Sequence, residues 1–327
     1  MKLQLRMVTL AALLATSTLF CALARAQASY PDKPIRFVVP FTPAGSVDII
    51  ARVVGRKLEA RFGVPVIVDN RTGAGGTIGT EAVAKAAPDG YTFVEGTQAT
   101  HAANKALYQV LRYDPVGDFE PVHGLIAMSG IFAVRGESPF KTLKDFVDHA
   151  KTRPGQLSFS SGGVGTGGHL MNEQFQNVAG IKLMHVPYKG SAPAVADIVG
   201  GQIDAGLDFS SVMGEFIRAG RLRPLATTGQ QRLGMFPDVP TFAEAGYPAA
   251  TATAWVALFA PAKTPPAIVG KVQRAVADIA QSADGKKTIA EMGGVPLMLG
   301  GAELKSFVAA EGARWRDIVQ KSSASAQ

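Results

Sequence analysis

Ile35-Arg36-Phe37-Val38-Val39-Pro40-Phe41-Thr42-Pro43-Ala44-Gly45-Ser46-Val47-Asp48 is the stretch whose reading decides the fold. Its first five residues form a short apolar run of the kind that makes a buried strand, broken at Pro40 by a loop. After Ser46 the period changes. Val47, Ile50, Val54, Leu58 and Phe62 recur every three to four residues until Gly63, with Ser46 placed as N-cap and Asp48 in the first turn. A strand that leads through a short loop straight into a helix is the repeating unit of an α/β sheet.

The unit recurs downstream. Val66 to Val68 reads as a strand, Asn70 to Gly76 as a Gly-rich loop, and Ile78 to Ala87 as a helix stopped by Pro88-Asp89-Gly90; Tyr91 to Val94 starts a strand ending in the loop Gly96 to His101. A second series begins at Pro139. It holds a helix over Leu143 to Lys151, a strand over Leu157 to Ser160, the loop Ser161 to Thr166, and a helix whose inner face carries Leu170, Met171, Gln174, Phe175 and Val178. A strand over Lys182 to Val186, a helix through Val195 to Val199 and a short strand ending at Asp208 complete it. Such alternation predicts mostly parallel sheets covered on both faces. An apolar stretch resumes at Trp255 to Phe259, followed by helical patterns over Ile268 to Ile279 and Leu304 to Val319. No Pro/Ser linker separates the series, so the chain is expected to cross by strands near Ile131 and again near Trp255. The expected division is residues 29–130 as the first segment of lobe 1, 131–252 as lobe 2, and 253–327 as the return to lobe 1, hinged on two strands.

The N-terminus reads as an export signal over residues 1–26: Lys2 and Arg6, an apolar run from Met7 to Leu23, then Ala24-Arg25-Ala26 as an A-x-A site. Phe20 before Cys21 disfavours acylation there. Cys21 is the sole cysteine, so the mature chain holds no disulfide, and its stability rests on the core that about 300 residues can bury. The formal charge of +7 falls by three to +4 when Lys2, Arg6 and Arg25 leave with the signal. No block of Lys and Arg interleaved with aromatics occurs, so nucleic acid is not an expected partner, and the mild basic excess suits an anionic ligand.

In open α/β sheets, ligands sit beyond the carboxyl ends of the strands, where Gly-rich loops run into helix N-termini whose free N–H groups attract anions. Four loops occupy that place: Phe41 to Asp48, Asn70 to Gly76, Gly96 to His101 and Ser160 to His169. None holds a cluster of Arg or Lys. A carboxylate there would be bound through backbone N–H groups, the hydroxyls of Ser46, Thr97, Ser161 and Thr166, and bridging water. Asp48 is read either as ordering its own loop or as complementing its helix dipole, and Arg71 either as an anion contact or as an ion-pair partner. Phe41 is the aromatic expected to wall the pocket.

Gly163-Val164-Gly165-Thr166-Gly167-Gly168 matches G-x-G-x-x-G after a strand and before a helix, so an NAD(P)-binding oxidoreductase, exported or cytoplasmic, is the alternative to weigh. The next strand leads into His185-Val186-Pro187-Tyr188-Lys189, without the acid that would hold a ribose. There is no G-x-S-x-G, H-E-x-x-H or P-loop, and none of the five histidines lies four residues from another. No enzyme, metal or cofactor is expected. His101 and His169 stand out only because they sit at candidate loops.

Several longer stretches carry a family resemblance. Tyr30-Pro31-x-Lys33-Pro34-Ile35, Asn70-Arg71-x-Gly73-Ala74-Gly75-Gly76, Ala87-Pro88-Asp89-Gly90-Tyr91-Thr92 and His185-Val186-Pro187-Tyr188-Lys189-Gly190 belong to it, as do Pro237-Asp238-Val239-Pro240-Thr241, Glu244-Ala245-Gly246 and Leu258-Phe259-Ala260-Pro261. Together they resemble the Bug family of receptors, the TctC-like solute-binding proteins of tripartite tricarboxylate transporters. The resemblance runs from Tyr30 to the last helix. It implies a type II periplasmic-binding-protein fold of two α/β lobes joined by two crossover strands. It further implies a monomer in the periplasm that captures a small carboxylate, needs no cofactor, and delivers the solute to membrane permease subunits or to a sensor kinase. The implied ligand-binding residues are Phe41, Thr42, Ala44, Gly45, Ser46 and Asp48, then Thr97, Gln98 and Ala99. In the second lobe they are Ser160, Ser161, Gly162, Gly163, Gly165, Thr166 and Asp208, and His169 joins the expected ligand-binding residues from its place at the candidate loop. One position departs from the family pattern Pro-x-Gly-Gly-x-x-Asp: Ala44 stands where the first Gly is usual, and its Cβ is expected to disfavour positive φ and to narrow the approach to the ligand.

Overall fold

The computed structural model describes residues 30–321. The leader read in residues 1–26, with Cys21, lies outside them. The opening stretch forms strand β1 (Ile35–Val39) and helix α1 (Ser46–Phe62), whose buried face carries Val47, Ile50, Ala51 and Leu58. Gly63 ends α1 at φ 72°, its N–H bonded to the carbonyl of Glu59, a left-handed closure that glycine makes without a Cβ penalty. Gly45, with extended backbone, is the N-cap. Ser46 was expected there, but it is the first helical residue and its hydroxyl caps nothing.

The chain continues through β2 (Val66–Asn70), α2 (Thr77–Ala84), β3 (Thr92–Thr97), α3 (Asn104–Leu107) and β4 (Phe119–Met128). It enters the second lobe through β5 (Gly130–Arg135). There follow α4 (Leu143–Thr152), β6 (Ser158–Ser161), α5 (Gly167–Ala179), β7 (Met184–Pro187), α6 (Ser191–Val199), β8 (Ala205–Phe209), α7 (Ser210–Arg218) and β9 (Leu222–Thr227). The return strand β10 (Ala254–Pro261) leads to α8 (Pro266–Gln281), α9 (Ala283–Glu291), β11 (Gly294–Pro296) and α10 (Gly301–Lys321).

Two sheets result, ordered β11-β4-β10-β3-β1-β2 and β7-β6-β8-β5-β9. Only the β2-β1-β3 and β7-β6-β8 portions are parallel. The expectation of mostly parallel sheets therefore holds for the ligand-facing halves and fails for the rest. The reason is the connection. β4 leaves lobe 1 and β10 comes back to it, so they run antiparallel to each other, and β5 runs antiparallel to β8 and β9 in the second sheet. The final helix is pinned to the return strand: the buried indoles of Trp255 on β10 and Trp315 on α10 both donate to Glu311 Oε2, at 2.9 and 3.0 Å. Two buried indoles with bonded N–H groups anchor the C-terminal helix to a crossing strand, so the hinge carries the packing of the first lobe. No helix of the described residues is long and apolar enough to cross a membrane.

Candidate functional site

The carboxyl ends of the two sheets face each other across a cavity of about 50 Å³. Lobe 1 contributes Phe41, Thr42 and Gly45 from the loop after β1, Ser46 and Val47 from the first turn of α1, and Thr97, Gln98 and Ala99 after β3. Lobe 2 contributes Gly162, Thr166, Gly167 and Gly168 at the start of α5, Gly190 and Ser191 at the start of α6, and Asp208 with Phe209 at the end of β8. Met128, Ala254, Trp255 and Val256 of the crossing strands close the remaining side. Among the described residues, no Lys or Arg lines it. A carboxylate-sized group fills such a volume. Phe41, Thr42, Gly162, Thr166 and Gly190 also border a neighbouring chamber of about 270 Å³ that runs along Thr72 to Gly76 and Pro187 to Lys189.

The lobes touch. A Cβ on Gly190 would overlap Thr42 Oγ1, and one on Gly167 would overlap Nε2 of Gln98, so these glycines are places where one lobe's backbone meets the other's side chains. Gln98 takes the N–H of Trp255 on its Oε1 at 3.3 Å, which turns its NH₂ group toward Gly167.

Behind the cavity, the first-lobe loop hangs on Asp48. This buried carboxylate accepts from the Ala44 N–H at 3.0 Å, from Asn70 Nδ2 at 3.0 Å, and from Arg52 at 2.9 and 3.0 Å. Burial alone would raise its pKa, but the donors from Arg52, the Ala44 N–H and Asn70 outweigh it and hold the carboxyl below the usual range. Asp48 orders its loop and does not face the ligand space. Ala44 itself has φ 61°, in the left-handed region. The Cβ was expected to keep the backbone out of that region; the Asp48 bond to its N–H holds it there instead, at a cost of about 1–2 kcal/mol. Arg71 pairs with Asp69 at 2.9 Å and stays off the cavity.

The second-lobe loop hangs on imidazoles. The Gly165 N–H donates to His169 Nδ1 at 3.0 Å, Ser161 Oγ lies 2.7 Å from His185 Nε2, and the two rings stack with centroids 4.1 Å apart. Phe159 continues the stack on His185 at 4.6 Å. Burial, then the neighbouring His185, lowers His169 to about 3, and burial lowers His185 to about 4, so both are neutral at pH 7. Thr166 Oγ1 closes the loop onto the Gly163 carbonyl at 2.7 Å, and Ser160 Oγ donates to the carbonyl of Ala194 in α6 at 3.1 Å.

Of the expected contacts, Phe41, Thr42, Gly45, Ser46, Thr97, Gln98, Ala99, Gly162, Thr166 and Asp208 line the cavity, and Gly163 lines the neighbouring chamber. Ala44, Asp48, Ser160, Ser161, Gly165 and His169 stand behind it, holding the loops in shape. His101 is also buried in lobe 1, stacked on Phe259 at 4.0 Å and lowered to about 3 by burial. Sequence reading missed Gly190 and Ser191, although they begin a helix after a strand like the other loops and close the stretch His185 to Gly190. It also missed Glu95, two residues before Thr97 on β3, whose two carboxyl oxygens are buried without a partner. Burial, then the charge of Asp48, pushes Glu95 well above the carboxylate range.

Among the described residues, Asp208 is the one ionisable side chain on the inner cavity. Its Oδ1 accepts from the Phe209 N–H at 2.8 Å, and burial pushes its carboxyl up to about 6 against the Ser191 and Phe209 donors that oppose the shift. The three helices whose first residues line the cavity, α1, α5 and α6, have no side-chain cap. Among the other helices, α2, α3, α7 and α8 lack a side-chain cap as well, whereas α4 carries a full capping box from Thr142 and Asp145 and α9 is capped by Ser282. Uncapped N-termini leave first-turn N–H groups for a bound anion to satisfy.

The model of the tripartite tricarboxylate transporter family receptor matches residues 50–323, starting just past the loop that holds Ala44. The protein BugT of Bordetella pertussis is 37% identical over 297 residues, covering 90% of this chain and 91% of its own. Among solved structures, an R. palustris protein with adipate is 34% identical at TM-score 0.87, covering 89% of this chain and 98% of its own. MatC from Rhodopseudomonas palustris, with bound malate, is 32% identical at TM-score 0.83, covering 89% of this chain and all of its own (100%). With its two α/β lobes of type II periplasmic-binding-protein fold and its interlobe cavity, this chain belongs to the tripartite tricarboxylate transporter family of receptors.

Proposed function

We propose that this protein captures a small carboxylate in the periplasm, between its lobes, and hands it to membrane permease subunits. The observation that carries the reading is the convergence of three uncapped helix N-termini on a cavity that, among the described residues, no Lys or Arg lines. An acid placed there is held by N–H groups and by the hydroxyls of Ser46 and Thr97, while the hydroxyl of Thr166 closes its own loop on the Gly163 carbonyl and that of Ser191 donates to Asp208. Its carboxylate fits the inner cavity, and the rest of the molecule extends into the neighbouring chamber. The relatives solved with adipate and with malate support this ligand class. Nothing in the reading requires a cofactor or a reaction: closure trades pocket water for loop donors, and opening releases the acid.

The test is a melting-shift screen of dicarboxylates, hydroxy acids, amino acids and aromatic acids on ligand-stripped mature protein. A true ligand at a hundredfold excess over Kd adds about 2.7 kcal/mol, which raises Tm by about 5–10 °C. A flat response to every acid sinks the proposal, and a shift with NAD(P) alone would favour the oxidoreductase alternative.

A further inference from the structure

A cleft built to attract a carboxylate by backbone donors contains one carboxyl of its own. Asp208 is the penultimate residue of β8, is 5% exposed, and is the only ionisable side chain among the described residues that line the inner cavity. As an acceptor it opposes an incoming anion at close quarters, with no Lys or Arg among the described residues that line the inner cavity; Lys189 lines the neighbouring chamber, where the rest of the ligand extends. We propose that Asp208 selects the ligand by taking up a proton as a simple acid is enclosed, so that one proton enters with each acid and the resulting carboxylic acid donates a hydrogen bond to it. This rests on the capture reading above and adds to it the charge state in which the acid is held.

The balance is simple: the proton comes from solvent and goes to the Asp208 carboxyl, whose Oδ1 accepts from the Phe209 N–H, and it returns to solvent when the lobes open. Burial alone, with no anion present, already brings the carboxyl up to about 6. A carboxylate placed against it raises it further, as two carboxylates at one site share a proton. The elements packed on β8 bring ionisable groups of their own: Arg135 on β5, His169 and Glu173 on α5, Asp197 on α6, and Glu215 and Arg218 on α7. The leading influences on Asp208 are burial, which raises it, and the Ser191 and Phe209 donors, which oppose the rise. From lobe 1 the cavity presents Thr42, Ser46, Thr97 and Gln98, all uncharged. A ligand that carries an ammonium group beside its carboxylate satisfies Asp208 directly and takes up no proton.

Calorimetric titration of the mature chain with adipate, malate, benzoate and glutamate, at pH 7.5 in phosphate and in Tris, measures the protons bound. The expected result is close to one proton for each simple acid and close to none for glutamate. Affinity for the simple acids should fall about tenfold per pH unit between pH 7 and 8, because the protonated form is the binding form. Asp208→Asn should bind the same acids with no proton uptake and a flat pH profile. Binding of simple acids to the wild type without proton uptake overturns the proposal, as does uptake retained in Asp208→Asn, which would place the proton elsewhere. If Asp208→Asn fails to fold, the wild-type proton count decides alone. If neither protein binds any of the four acids and the melting screen is flat, the capture reading falls and this proposal with it.

Discussion

The two loops that frame the cavity do the same work with opposite chemistry. In lobe 1, residues 41–48 are held by a charged hub: Asp48 gathers the Ala44 N–H, Asn70 and Arg52, and Asn70 also donates to the carbonyl of Phe41 at 3.0 Å. In lobe 2, residues 161–169 are held by neutral rings: His169 takes the Gly165 N–H and His185 meets Ser161. The first loop forces a non-glycine residue into left-handed backbone, whereas the second uses Gly163 at φ 131° and Gly165 at φ 81° where positive φ is needed. The difference teaches that an anion site can be stiffened by charge only where that charge is neutralised and turned away from the ligand. It also means that the two loops should fail under different conditions.

The largest effect is expected at the charged hub. Asp48→Ala removes acceptors from the Ala44 N–H and Asn70, breaks the pair with Arg52, and releases the strained backbone. Hydrogen bonds to a charged group contribute about 1.5–3 kcal/mol each. Arg52 is half-exposed, so its share is discounted for solvent screening. A loss of about 3 kcal/mol in urea unfolding is expected, with acid binding reduced below detection in the melting screen. A variant within about 1 kcal/mol of wild type, binding acids normally, would remove Asp48 from its place at the centre of the loop.

This contrast was only half legible in the sequence. The strand-loop-helix units were readable because apolar period and glycine punctuation are local signals; Phe41 and Thr166 were placed by the rule that ligands gather at strand ends, and Asp208 by the family resemblance. Which loop residues face the ligand and which face inward was not readable. Ser160, Ser161 and His169 look like ligand contacts because polar side chains in a Gly-rich loop ordinarily point to a ligand, yet Ser160 and Ser161 are turned back by partners more than twenty residues away and His169 by the Gly165 N–H of the loop just before its helix. The antiparallel parts of both sheets escaped for a related reason. The direction of β4 and β10 is set by the need to cross between lobes and return, which no local pattern records.

The neutral loop should be the one that fails on mild acidification. The ordinary imidazole value is 6.5, and the fold holds His169 near 3 and His185 near 4. Above pH 6.5 folded and unfolded chains are alike at these sites. As pH falls below 6.5 the unfolded chain binds protons that the folded chain excludes, and each ring removes up to about 1.4 kcal/mol per pH unit until its folded value is reached. Asp48, lowered from 3.8, has the opposite window: its contribution is present above 3.8 and is lost only as pH falls through its lower folded value. Between pH 6.5 and 4.5 the second loop therefore loosens while the first holds. Protection of the Gly165 amide, measured as exchange relative to the intrinsic rate at each pH, should fall across this range and that of Ala44 should not. His169→Phe keeps a ring in the stack but leaves the Gly165 N–H without an acceptor, at about 1–3 kcal/mol at pH 7.5. It should also flatten the acid slope of stability by about one proton, with His101 and His185 still titrating as before. An unchanged slope would mean that His169 is already charged in the folded protein.

The smallest effect, and the finest probe of the comparison, is Ala44→Gly. Relieving left-handed backbone at a residue with a Cβ stabilises by about 1–2 kcal/mol, and the extra freedom that glycine gives the unfolded chain takes back about 0.4–1 kcal/mol. The net expectation is a gain between about zero and about 1.6 kcal/mol in urea unfolding, with the Ala44 N–H bond to Asp48 intact. Binding should respond in the other direction. Loop 41–48 lends its glycine, its hydroxyls and the first turn of α1 to the cavity, and a looser hinge at residue 44 lets them move away from the acid. A variant that is more stable yet binds its acid a few-fold more weakly would show that the alanine holds the loop rigid at a cost in stability, making lobe 1 the stiffer jaw. A destabilised variant would mean that residue 44 is not in left-handed backbone, and the two loops would then differ only in what stands behind them.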